Sequence, residues 1–184
     1  MIVVVAIVAA PGRLRVITSA EESAQGRIQA WAAGVEMLKS KPVLGVGFAE
    51  FTNWHERVAH NSFVHVFAET GFVGIFFFVG TFYWFFVGNG PLRNVAGAVA
   101  SPMARDLWAS CIGAVVCACF LSRQYVPVLY IPLALGAVRI GVEQAGDTGL
   151  TFQRWWDWCV VAFLAVAVVT VSYVAVRALV VWSV

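Results

Sequence analysis

GFVGIFFFVGTFYWFFV, residues 71–87, is an uncharged, phenylalanine-rich stretch of 17 residues, and its reading decides the fold. A helix needs roughly 17–25 mostly apolar residues to cross the hydrocarbon core of a bilayer. Extended upstream through residues 62–70, the stretch becomes long enough to begin at headgroup depth. A second run, Trp158–Val176, has 19 residues and also qualifies. Between them lie Leu107–Ser122 with 16 residues and Gln124–Val138 with 15, separated by Arg123 alone. These read as two short spans or a re-entrant hairpin. Composition agrees, since 61% of the chain is hydrophobic and 12% is charged, against roughly 25% charged in soluble domains. The mean hydropathy is +0.83. The expectation is an all-α, polytopic transmembrane helix bundle, with about four transmembrane helices over residues 62–184.

Upstream, the pattern changes. Residues 11–61 hold six of the twelve Lys and Arg, five of the ten acids and two of the three histidines. A charged segment of this length between membrane-grade runs is expected as one long external loop that brings reactive groups to the bilayer edge. Met1–Ala10 is apolar but too short to span, and no basic segment precedes it. It is expected to be the end of a transmembrane helix, with an N-terminal half missing from this chain. Within the loop, Ser19-Ala-Glu-Glu22 reads as a capping box, followed by a helix from about Ala20 to Ser40. Ile28, Trp31, Ala32, Val35 and Leu38 repeat at three and four and form its apolar stripe. Gly26 and Gly34 each weaken it by about 1 kcal/mol against Ala. Pro42 ends the helix, and Gly45-Val46-Gly47 makes a turn.

Several classes drop out. A formal net charge of +2 and the absence of a Lys/Arg run argue against a nucleic-acid partner. Cys111, Cys117, Cys119 and Cys159 all fall in apolar runs without a CxxC pair, so they read as small packing residues. His55-Glu56-Arg57-Val58-Ala59-His60 resembles a zincin motif but is one residue too long. Five helical residues leave the imidazoles about 140° apart, so no metal site is expected there. Most tryptophans, among them Trp84, Trp155, Trp156, Trp158 and Trp182, lie near run ends, as an interfacial belt requires. Counting basic residues on the short connections (Arg93, Arg105, Arg139, Arg154) places those connections in the cytoplasm and the long loop outside.

Six kinds of position in and beside the loop carry chemistry. Arg27 is either a solvated surface arginine or a bidentate clamp on phosphate. Arg13 and Arg15 follow the first apolar segment, where snorkelling to lipid phosphates and substrate binding fit equally well. His60 stands at the membrane mouth, where an imidazole is placed to take a proton from an attacking hydroxyl. Asn61 either binds substrate or caps the next helix. Glu69 lies two to three turns into that helix, where an acid is a functional candidate by default. Trp31 and Trp54 are candidates for core or interface packing. His65, five residues past His60, reads as packing.

The order Ser23-x-x-Gly26-Arg27-x-x-x-Trp31-x-x-Gly34-x-x-Met37, then Pro42-x-x-Gly45-Val46-Gly47-x-x-x-Phe51, then His60-Asn61-x-Phe63 and Glu69-x-Gly71-x-x-Gly74, resembles the O-antigen ligase/polymerase superfamily of bacterial inner-membrane proteins. The resemblance covers about residues 13–74. It implies a glycosyltransferase that moves a glycan from undecaprenyl pyrophosphate to an acceptor hydroxyl such as that of lipid A-core, with the large loop periplasmic and with neither metal nor nucleotide-sugar cofactor. On that reading His60 and Arg27 are catalytic, and Arg13, Arg15, Asn61, Glu69, Trp31 and Trp54 bind substrate. The partners are the lipid-linked glycan donor, a glycolipid or other hydroxyl acceptor, and the bilayer. A polymerase of the same superfamily, a bicarbonate-type membrane transporter and an inactive fragment are the competing expectations.

Overall fold

The computed structural model describes residues 11–89, 102–144 and 155–181, with side chains described over 23–89, 102–142 and 155–179. The elements are α1 (Pro11–Ser40), α2 (Phe51–Trp54), α3 (Ser62–Asn89), α4 (Pro102–Phe120), a 3-10 turn (Pro127–Leu129), α5 (Ile131–Gln144) and α6 (Trp155–Val181). Among the described residues there is no strand, and α3, α4 and α6 are long and apolar enough to cross a membrane. The fold is an all-α bundle of transmembrane type. Phe77, Phe163 and Val171 are each more than 60% exposed, so apolar side chains face outward as well as inward. A helix that is apolar all round belongs in lipid. The segment expected to end a transmembrane helix, Met1–Ala10, lies outside the described residues.

Helix α1 corrects one expectation. It runs from Pro11, so Ser19 sits inside the helix and not at its start. Proline fits the first turn of a helix, where its missing N–H is no loss, and no further proline interrupts residues 12–40. Val35 and Leu38 are buried as the stripe predicts, but Ala30, Gly34 and Met37 are buried beside them. Gly34 is there for closeness. A Cβ on it would stand 2.8 Å from Val64 Cγ1 and 3.4 Å from Phe51, so its missing side chain lets α1 press on α3 and α2.

The run containing residues 71–87 is a broken helix. Gly71 has φ 65 and ψ −160, and the helix resumes after it. A break exposes carbonyls on one side and N–H groups on the other, which apolar surroundings cannot satisfy. The Pro42–Gly47 turn fills the gap. Val46 N–H donates to Ala68 O and Gly47 N–H to Glu69 O, both at 3.0 Å. In the other direction Phe72 N–H donates to Pro42 O at 2.8 Å and Val73 N–H to Val43 O at 3.2 Å. Gly45 (φ 69) and Gly71 lie where the two backbones touch, and a Cβ on Gly45 would strike the Glu69 carbonyl.

Helices α4 and α5 form a hairpin, and Arg123 lies in its turn. α5, at about 21 Å, falls short of a roughly 30 Å hydrocarbon core. The hairpin's turn meets the start of α3. Ser62 Oγ donates to Leu121 O at 2.6 Å and accepts from Arg123 N–H at 2.9 Å. At the far end, Arg139 Nη1 donates to Asn89 Oδ1 at 2.9 Å. The loop and Arg123 therefore share one end of the bundle. Of the cysteines, Cys111 is buried as expected, whereas Cys117 and Cys159 face outward.

Candidate functional site

The site is built where the loop returns to the membrane. α1 holds the segment that leads into α3 at two points. Trp31 Nε1–H donates to Ala59 O at 2.7 Å. One turn earlier on α1, the Arg57 guanidinium occupies the space that a Gly26 side chain would take. Arg27 stands beside Gly26 and one turn before Trp31, on the same face as Trp31. The structure thus brings the Arg27 turn of α1 against the residues just ahead of His60. Arg27 and His60 are both exposed. Trp31 is half-buried and anchored by its ring nitrogen, whereas Trp54 is 53% exposed. Arg13 and Arg15 lie on α1, but their side chains fall outside those described.

His60 has φ 49, in the left-handed region. That conformation strains a non-glycine residue by about 1–2 kcal/mol, least for Asn, Asp and His. It turns the chain so that Asn61 can cap α3. The Asn61 Oδ1 accepts from Phe63 N–H at 2.9 Å and from Val64 N–H at 3.1 Å. Of the two roles open to Asn61, the cap is formed.

Below this mouth lies a buried polar cluster. Glu69 is 1% exposed. Its Oε1 accepts from Phe51 N–H and from His65 Nε2, both at 3.0 Å, and its Oε2 accepts from the Tyr125 hydroxyl. On its other side, His65 Nδ1 lies 3.1 Å from Ser122 Oγ. The His65 ring packs 4.4 Å from Phe51, and Phe48 packs tilted 4.5 Å from Tyr125. Burial first, and then the Glu69 carboxylate, push the Tyr125 hydroxyl well above the ordinary tyrosine range. Burial also raises Tyr130, whose hydroxyl donates to Gln124 O.

Glu69 therefore spends both oxygens on protein donors from α2, α3 and the α4–α5 turn. His65 is not simple packing. Its spacing of four from Glu69 puts both on one helix face, a signal the sequence carried. Ser122, Tyr125 and Arg57 had no such local signal. Among the described residues, no three His, Cys, Asp or Glu side chains gather as metal ligands.

The sequence model of the family described as O-Antigen ligase matches residues 1–79, less than half of the chain. The match supports assignment to the O-antigen ligase-like superfamily and a membrane function of ligase or polymerase type. No curated protein and no solved structure matches.

Proposed function

We propose, on the premise of an O-antigen ligase-like membrane protein, that this chain carries the loop-side half of a glycosyltransferase site. The reaction moves a glycan from undecaprenyl pyrophosphate to a hydroxyl of a glycolipid such as lipid A-core, at the periplasmic face of the bacterial inner membrane. The observation that carries the reading is the Trp31–Ala59 hydrogen bond, which sets the Arg27 turn against the approach to His60. The anomeric C–O bond to the pyrophosphate breaks as the acceptor oxygen bonds to that carbon. The acceptor proton passes to His60, and charge collects on the leaving pyrophosphate. Arg27, with Arg57 beside it, stabilises that charge. Arg13 and Arg15, further up the same helix, extend the cationic track. Glu69 acts from below as a positioning residue, holding α2 and the hairpin turn in register.

The test is transfer of a labelled glycan from undecaprenyl pyrophosphate by the protein in native membranes, with EDTA present. His60→Asn is the informative variant, because asparagine tolerates the left-handed backbone that alanine resists. Loss of transfer in His60→Asn and Arg27→Ala at matched expression is expected. Wild-type rates in both would sink the assignment. Transfer to a growing repeat unit in place of lipid A-core would identify the polymerase branch, which shares the donor chemistry.

A further inference from the structure

Further along α1, this helix, α3 and α6 line a groove of about 310 Å³ formed by Val35, Leu38, Phe72 and Val169, with Lys39 and Tyr173 also lining it. That volume lies at the low end of the roughly 300–1,000 Å³ typical of small-molecule sites. Two cations converge on Tyr173. Lys39 Nζ stands 5.4 Å and the Arg177 guanidinium 5.7 Å from the ring centre, and Arg177 Nε donates to the Tyr173 hydroxyl at 3.1 Å. Glu36 pairs with Lys39 at 2.6 Å, which leaves one net positive charge.

Depth explains the arrangement. Trp155 and Trp156 stack at the start of α6, with Trp158 and the Tyr83–Asp157 hydrogen bond close by. Such aromatic clusters mark a bilayer interface. Tyr173 lies about 27 Å and Arg177 about 33 Å further along the helix, and the hydrocarbon core is about 30 Å thick. Tyr173 and Arg177 therefore reach the opposite headgroup layer, directly above an apolar groove. Glu36 answers Lys39, and the Arg177 guanidinium held beside the ring matches phosphate oxygens in a fork.

We propose that this groove binds one anionic phospholipid of the surrounding membrane. Lys39 and Arg177 hold its phosphate across Tyr173, and an acyl chain lies on Val35, Leu38, Phe72 and Val169. The site lies further along α1 from the transfer site, beyond Trp31, and stands without it.

The experiment is native mass spectrometry of the whole chain in detergent, offered phosphatidylglycerol or phosphatidylcholine. Two cations at about 1 kcal/mol each, one of them offset by Glu36, predict roughly fivefold preferential retention of one phosphatidylglycerol. Lys39→Gln with Arg177→Gln is expected to abolish the preference. Val169→Trp, which fills the groove and leaves both cations, is expected to abolish retention. Equal retention of the two lipids by wild type would overturn the proposal, as would a preference that survives the double variant. Displacement of phosphatidylglycerol by equimolar undecaprenyl phosphate would also overturn it, by showing a polyprenyl occupant.

Discussion

Tyr125 donates its hydroxyl to Glu69 across 56 residues of sequence, tying the α4–α5 turn to the last turn of α3 before its break. The same carboxylate receives Phe51 N–H and His65, so one side chain locks three separate elements at the loop end of the bundle. Glu69 O also receives Gly47 N–H, so the residue belongs to the plug of the helix break as well.

Removing the carboxylate should loosen all of this together. Glu69→Ala strands the Phe51, His65 and Tyr125 donors, each costing about 1–3 kcal/mol when buried and unpaired, with incomplete additivity. A clear fall in thermal midpoint in detergent is expected, with a smaller fall for Glu69→Gln, whose amide oxygen still accepts. A wild-type midpoint in Glu69→Ala would refute the locking role.

The Tyr125 hydroxyl holds its proton above the ordinary tyrosine pKa of about 10. Folding therefore binds that proton more tightly than the unfolded chain does. The resulting stabilisation is whole below pH about 10 and fades as pH climbs through the folded value. Unfolding midpoints at pH 8 and pH 11 should show wild type losing more than Tyr125→Phe. At pH 8 Tyr125→Phe should cost about 1 kcal/mol, the worth of one hydrogen bond. Identical alkaline losses would show that the bond plays no part.

Gly45 and Gly71 should be intolerant. Each has positive φ, and a Cβ on either would meet backbone of the other segment. Left-handed strain alone costs about 1–2 kcal/mol, and the clash adds to it. Gly45→Ala and Gly71→Ala are expected to lower folded yield sharply. Gly113→Ala is the control, because a Cβ there meets nothing within 4 Å, and its effect should stay within about 1 kcal/mol. Equal yields for all three would contradict the plugged break.

Asn61 separates capping from substrate contact. Asn61→Ala should cost about 1 kcal/mol of stability, and Asn61→Ser and Asn61→Asp should restore it, since each supplies a capping oxygen. If transfer follows stability across the three variants, Asn61 is a cap. Loss of transfer in a stable Asn61→Ser would add a sugar contact.

The all-α class and the long apolar helices were legible in order along the chain because they rest on local statistics: run length and apolar spacing. Gly26–Arg27, Trp31 and His60–Asn61 were legible as a pattern, and the His65–Glu69 spacing was available though read as packing. What the tertiary structure decided is how those pieces meet. A helix that looks continuous in hydropathy breaks at Gly71, because the Pro42–Gly47 turn supplies hydrogen bonds that hydropathy does not count. Ser19 reads as a cap until the helix is seen to pass through it. Ser122 and Tyr125 carry no local mark, since their roles arise only when a turn some 60 residues downstream folds back onto Glu69 and His65. By itself the sequence determined which of the longest runs are apolar enough to span, since apolar length is a local quantity. The pairing of polar groups inside them is a contact property, and only the fold could settle it.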